Sequence, residues 1–166
     1  DMRVSMKELG NERSGVRFMV MSTVNSRHKT SDSHWEVQIP SCITECCQVV
    51  DVFISRVERQ GVTRTQAFAL RNGLHEAVVN AVRHGNGQDP EKHVRIAYGF
   101  VGNDVWIEVE DQGSGFDATG VADPSTDANR ERLGGRGLHL MQHFMSSVEY
   151  NDRGNCVRML RMDVRG

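Results

Sequence analysis

The chain moves between two hydrophobic periods. Trp35-Glu-Val-Gln-Ile39 carries apolar side chains at every second position, the pattern of a half-buried strand, and Pro40 ends it. Ser41 offers an N-cap for a helix beginning just after it. Ile43, Cys46, Cys47, Val50, Phe53, Ile54 and Val57 recur at helical spacing until Gly61 stops the run. A second helix is predicted from Thr65 to His84, closed by Gly85, with Leu70, Leu74, Ala77, Val78 and Ala81 as its apolar stripe. Val94, Ile96, Tyr98 and Phe100 alternate, and so do Val105, Ile107 and Val109; Gly102-Asn-Asp between them makes the two runs a hairpin. Residues 118–133 are polar, without apolar periodicity, and form a loop longer than most connections. Gly134-Gly-Arg-Gly137 opens a third helix that turns Leu138, Met141, Phe144 and Met145 inward. Two strands near 147–150 and 156–162 close the chain.

The order β-α-α-β-β-loop-α-β-β groups helices beside a mostly antiparallel sheet. It predicts an α+β two-layer sandwich with about three helices, not a doubly wound fold. Residues 1–33 are weakly patterned apart from a short candidate strand at Val16–Met21. They are expected to be a partly mobile N-terminal extension to a domain spanning 34–166.

Composition narrows the partners. At 166 residues with 38% hydrophobic and 25% charged positions, the chain suits one globular domain. A formal net charge of -2 gives no electrostatic case for nucleic acid or a membrane surface as partner. No apolar run approaches the roughly 20 residues of a membrane span, and Val16–Val24 is too short and interrupted for a secretory signal. Cys42, Cys46 and Cys47 crowd one helix and Cys156 stands apart. That spacing suits neither a disulfide framework nor a tetrahedral zinc site, so free thiols and a cytoplasmic location are expected.

Three clusters carry candidate chemistry. On the second helix, Glu76, Asn80 and His84 are spaced by four and share one face. Asp111-x-Gly113-x-Gly115 follows a strand directly. A carboxylate there can accept a hydrogen bond from an exocyclic amine, and the glycines let backbone approach a flat ring. Gly134-Gly-Arg-Gly137 offers backbone N–H groups at a helix start, suited to phosphate, with Arg132 or Arg136 adding charge. Singly, each has a plainer reading: a solvated acid, an exposed amide, a histidine near a helix end, a glycine-rich turn, a helix entry. Together, in the order ExxxN helix, strand-DxGxG, long loop, GxG-helix, they favour a nucleotide with a metal. An amide oxygen is a hard ligand for Mg²⁺, and a carboxylate one turn earlier can accept a proton from an attacking hydroxyl.

This set resembles the GHKL superfamily with its Bergerat ATP-binding fold. The resemblance spans residues 34–162: an N-box from Glu76 to Asn86, a first glycine box from Asp111 to Gly115, an ATP lid, and a second glycine box from Gly134 to Gly137. The phrases His75-Glu-Ala-Val-Val-Asn-Ala-Val-Arg-His-Gly85 and Gly134-Gly-Arg-Gly-Leu-His-Leu-Met-Gln-His-Phe-Met145 look most like the small serine kinases that act as anti-sigma factors. The resemblance implies ATP and Mg²⁺ as cofactors, with Asn80 on the metal and Glu76 orienting or deprotonating a serine hydroxyl. It implies Asp111 on the adenine amino group, Gly113 and Gly115 shaping the pocket, and Gly134, Gly135, Arg136 and Gly137 along the phosphates. It brings Phe116 and Leu138 into the nucleotide site, and one lid arginine to the γ-phosphate: Arg132, with Arg130 as the alternative. Arg83 and His84 stand beside the metal helix as further candidates. The implied partners are a STAS-type anti-anti-sigma protein, phosphorylated in a partner switch, and a sigma factor; a homodimer is also implied, direct nucleic-acid contact is not. The competing readings are a non-catalytic ATP-binding or sequestering module and a detached histidine-kinase ATP-binding domain. One departure stands out: relatives commonly place threonine after the glycine of the terminal hairpin, where it helps bind adenine, and this chain has Gly154-Asn155-Cys156.

Overall fold

A computed structural model describes residues 3–10, 17–24, 33–115 and 136–165. Seven strands form one sheet in the order β1-β2-β3-β4-β5-β7-β6: β1 Arg3–Gly10, β2 Arg17–Val24, β3 Ser33–Pro40, β4 His93–Val101, β5 Asp104–Asp111, β6 Ser147–Tyr150 and β7 Cys156–Arg161. Every neighbouring pair is antiparallel. Helices α1 (Ile43–Arg59), α2 (Arg64–Asn80) and α3 (Arg136–Phe144) complete the described secondary structure with a π-helical turn, Ala81–Gly85. The predicted α+β sandwich is what the chain forms.

The core lies between one face of the sheet and the helices. The inward positions of the strands (Val37 and Ile39; Val94, Ile96, Tyr98 and Phe100; Val105, Ile107 and Val109; Val157 and Met159) are buried against Phe53, Val57, Leu70, Leu74, Val78 and Met141. The ladder explains the alternation: Val94↔Asp111, Ile96↔Val109, Tyr98↔Ile107 and Phe100↔Val105 keep like faces together. On the other face Arg95 bridges Glu36, Glu108 and Glu110, and Arg158 pairs with Glu108. Burial pushes the Glu108 carboxyl up, but hydrogen bonds from Arg95 and Arg158 outweigh it and hold it below its ordinary range.

Helix ends are set by local chemistry. Gly61 (φ +86°) lets α1 close in a Schellman motif, with Val62 N–H donating to Val57 O and Gly61 N–H to Glu58 O. Thr63 caps α2 by accepting from Gln66 N–H at 3.3 Å. The cap expected at Ser41 does not form: Cys42 is the N-cap of α1 without a side-chain bond, and Ser41 Oγ is buried without a partner in the structure. All four cysteines are free, as expected.

Two further features depart from the sequence pattern. The short strand expected at Val16–Met21 is β2, and β1 pairs beyond it, so the sheet extends two strands past β3. Both strands carry apolar residues at mixed parity, so period two is weak there. The second helix is also not α-helical to His84. After Asn80 it widens, with Asn86 N–H reaching back five residues to Ala81 O at 2.7 Å. Among the described residues no helix is long and apolar enough to cross a membrane.

Candidate functional site

Asp111 reaches its place by the alternation that builds the core. Val105, Ile107 and Val109 face the helices along β5, and Asp111 is next in phase where the strand ends. Across the ladder, Asp111 N–H donates to Asn155 O at 2.9 Å, and Asn155 Nδ2 donates back to Asp111 O at 2.9 Å. On β6, Val148 and Tyr150 run opposite inward-facing Met159 and Val157. A carboxylate, an amide and a phenol are thus gathered at one end of the sheet, opposite the π-helical turn.

The cleft between them opens to solvent. Ala77, Ala81, Val109 and Val157 give it apolar walls; Asn80, His84, Asp111, Ser114, Tyr150 and Asn155 supply polar groups. Burial pushes the Asp111 carboxyl above its ordinary range, while the Gly113 N–H (2.8 Å from Oδ1) and the Arg153 charge pull it down without cancelling the effect. Burial, and then the Asp111 charge, push the Tyr150 phenol up to about 12, so it is protonated at neutral pH. A partly desolvated acceptor beside apolar walls is equipped to bind a planar donor such as an exocyclic amine.

The glycines of the Asp111–Gly115 turn answer to the packing around them, and Gly115 also lines the cleft. They make room for protein backbone. A Cβ on Gly113 would strike the Gly85 carbonyl, and one on Gly115 (φ +78°) would strike the Arg153 carbonyl. Gly85 has no room for a Cβ either, because the Asp111 carboxylate occupies that space. The π-helical turn and the Asp111 turn therefore interlock. Asn86 holds them together: its buried amide donates to His93 O at 3.0 Å and accepts from Gln112 N–H at 2.8 Å. Ending the N-box phrase, Asn86 thus has a structural role.

Glu76 and Asn80 converge on a second place, the first turn of α3. A Cβ on Gly137 would lie 2.9 Å from Glu76 Oε2 and 3.0 Å from Asn80 Nδ2. Asn80 also lines the cleft, so it links the Asp111 end to the α3 end; Glu76 is absent from the cleft wall. Of the expected face of Glu76, Asn80 and His84, Asn80 thus stands with Glu76 at Gly137 and with His84 at the cleft. His84 sits in the π-helical turn and lines the cleft with Asn80. Arg83 is exposed and does not line it; Leu138 packs against the core. Gly134, Gly135, Phe116, Arg130 and Arg132 lie outside the described residues, as does the side chain of Arg136, whose backbone begins α3.

Sequence reasoning missed Tyr150 as a cleft residue and Arg153 as a contact of the glycine turn. Tyr150 had a usable signal: in a strand, it shares the parity of inward-facing Val148. Arg153 had none, because its partner Gly113 is 40 residues away.

Residues 41–161 match the family described as the histidine kinase-like ATPase domain. The chain belongs to this family. Its membership in the GHKL superfamily, expected from the three ordered boxes, is thereby borne out, and its relatives fall close to the anti-sigma kinases. The serine-protein kinase RsbW of Bacillus velezensis is 30% identical over 127 residues, 72% of this chain and 79% of that protein. RsbW of Bacillus subtilis is 28% identical over 141 residues, 80% and 88% of the two chains. RsbW of Oceanobacillus iheyensis is 26% identical over 121 residues, 66% and 77%. A family of ATPase domains accounts for a cleft with a half-buried carboxylate at one end.

Proposed function

We propose that the protein is an ATP-dependent protein-serine kinase and anti-sigma factor of the cytoplasm, with residues 34–166 as the kinase domain and 1–33 as its extension. The observation that carries this reading is the convergence of Glu76 and Asn80 on Gly137. A carboxylate and an amide meet there at a helix start, where N–H groups and the positive helix end favour phosphate.

Adenine would enter the cleft and donate its amino group to Asp111, with the triphosphate leading towards Gly137. The residues present fit Mg²⁺: Asn80 offers a neutral hard oxygen close to the Glu76 carboxylate, both against Gly137. Held by Asn80 and nucleotide oxygens, Mg²⁺ would neutralise charge on the phosphates. Glu76, its side chain 26% exposed, can be reached by a hydroxyl of another protein. It accepts the serine proton as the serine oxygen bonds to the γ-phosphorus and the bond to the β-phosphate oxygen breaks, releasing ADP. Arg132 is assigned to the γ-phosphate; Gly134, Gly135, Arg136, Phe116 and Leu138 complete the nucleotide contacts, and Arg83 and His84 flank the metal helix. The acceptor is a STAS-type anti-anti-sigma protein. Phosphoserine in its interface would release it by repulsion and desolvation, leaving the kinase to sequester a sigma factor.

The test is transfer of the γ-phosphate from labelled ATP to a STAS-domain partner from the same genome. An acid-stable phosphoserine is expected. An acid-labile phosphohistidine replaces this reading with that of a histidine-kinase domain, and nucleotide binding without transfer replaces it with a sequestering module.

Gly137→Ala probes the α3 end separately. Alanine gains up to about 1 kcal/mol in helix propensity, so Tm is expected to hold or rise. The new methyl displaces Glu76 and Asn80, so Mg-ATP affinity should fall roughly tenfold, the effect of about 1.4 kcal/mol. Calorimetric titration beside thermal melting checks both signs.

A further inference from the structure

The β6–β7 turn, Asn151–Asn155, lies against the Asp111–Gly115 turn along its length. Arg153 Nη2 donates to Gly113 O at 3.1 Å, and the Arg153 carbonyl lies where Gly115 would carry a side chain. The turn is itself tied down. Asn151 Oδ1 accepts from Asn155 N–H at 3.1 Å and Cys156 N–H at 3.2 Å, Asn151 Nδ2 donates to Asn155 Oδ1 at 3.0 Å, and Gly154 N–H donates to Asn151 O at 2.9 Å. Asn155 is 7% exposed and passes this constraint to Asp111 through its own amide. Its side chain is thus spent on protein contacts, although it stands where relatives place a hydroxyl.

We propose that Arg153 is a positioning residue for nucleobase recognition, clamping the Asp111–Gly115 turn so that the Asp111 carboxylate is presented as a fixed acceptor selecting an exocyclic amine over a carbonyl. This rests on the reading of the cleft as the adenine site. Adenine offers an amine to that carboxylate. Guanine offers a carbonyl at the corresponding position, which a fixed carboxylate repels. A loosened turn can swing its carboxylate aside and lose that selection. Arg153 also acts through charge. Of the charged groups facing Asp111, Arg153 and Lys92 favour its ionised form and Glu110 opposes it. His84 lines the same cleft and Tyr150 is neutral. ATP requires ionised Asp111, so affinity falls as pH drops through its pKa. Removing the Arg153 cation raises that pKa, and the loss then begins at higher pH.

The experiment is calorimetric titration of the whole chain with Mg-ATP and Mg-GTP between about pH 5 and pH 8, using wild type, Arg153→Ala, Arg153→Gln and Arg153→Lys. The alanine variant should bind ATP about five- to tenfold more weakly at neutral pH, the scale of one lost hydrogen bond. It should also show a lower ATP/GTP preference and an acid limb moved to higher pH. Lysine should restore the acid limb; glutamine should restore neutral-pH affinity but not the limb. A merely structural Arg153 would lower Tm in all three variants and leave preference and acid limb unchanged, which overturns the proposal alone. Wild-type protein that binds no ATP overturns the adenine-site reading and the proposal with it.

Discussion

Glu76→Gln is expected to keep Mg-ATP binding and to lower phosphoryl transfer to the serine partner about 10²- to 10⁴-fold, the range that a positioned general base contributes. Glutamine keeps the length and shape of glutamate, so the packing against Gly137 persists. It loses the negative charge, which beside a triphosphate opposes binding. Nucleotide affinity should therefore hold or improve while transfer falls, a split that misfolding cannot produce. His75 Nδ1 lies 3.8 Å from Glu76 Oε1, beyond hydrogen-bond reach. Single-turnover transfer from labelled ATP, beside a calorimetric titration, reads both quantities. Equal transfer rates in the variant and the wild type would remove the base assignment, while weaker binding with unchanged turnover of bound ATP would recast Glu76 as a ligand for the nucleotide.

The parts of the site that were legible in the sequence are those fixed by local period. Asp111 follows Val105, Ile107 and Val109 in phase, so its place at the helix side of the sheet end was readable from the strand alone. Glu76 and Asn80 lie one turn apart on α2, and their common direction survives in the fold. His84 lies beyond the point where the helix widens, at Ala81–Gly85, and lines the cleft with Asn80. The widening accompanies a contact distant in sequence: Gly85 sits against Asp111 and Gly113, and Asn86 bonds to Gln112. Helical spacing carries no trace of such a partner. The same holds for Gly113 and Gly115, whose need for a missing side chain comes from the Gly85 and Arg153 carbonyls. A glycine box can be recognised in sequence; which backbone it accommodates depends on the packing of separate elements. Asn155 shows the limit from the other side. Its departure from the threonine of relatives was visible, but its bonds to Asn151 and Asp111 required the closed hairpin.

Asp111→Asn should lower ATP affinity about ten- to a hundredfold, the scale of a charge-assisted hydrogen bond of roughly 1.5–3 kcal/mol, and should raise the Tm of the nucleotide-free protein at neutral pH. The two effects share one cause. Burial holds the Asp111 carboxyl above its ordinary pKa, so the ionised group is less stable in the fold than in the unfolded chain. Between the unfolded and the folded pKa the native state binds the extra proton, so stability falls as pH rises through that window. Ionised Asp111 is thus a stability cost at neutral pH, which the proposed role in ligand recognition would explain. Asparagine removes the charge and keeps an oxygen for the Gly113 N–H, which now lies 2.8 Å from Oδ1. The backbone bonds to Asn155 do not depend on the side chain. The variant should therefore melt higher without nucleotide and gain less from added Mg-ATP, since ligand stabilisation follows RT ln(1 + [L]/Kd). Its Tm advantage over wild type should shrink as pH falls towards the ordinary carboxylate range, because wild-type Asp111 is then protonated too. A variant that binds ATP as wild type does would remove Asp111 from adenine recognition, and one that melts lower at neutral pH would show that the carboxylate stabilises the fold.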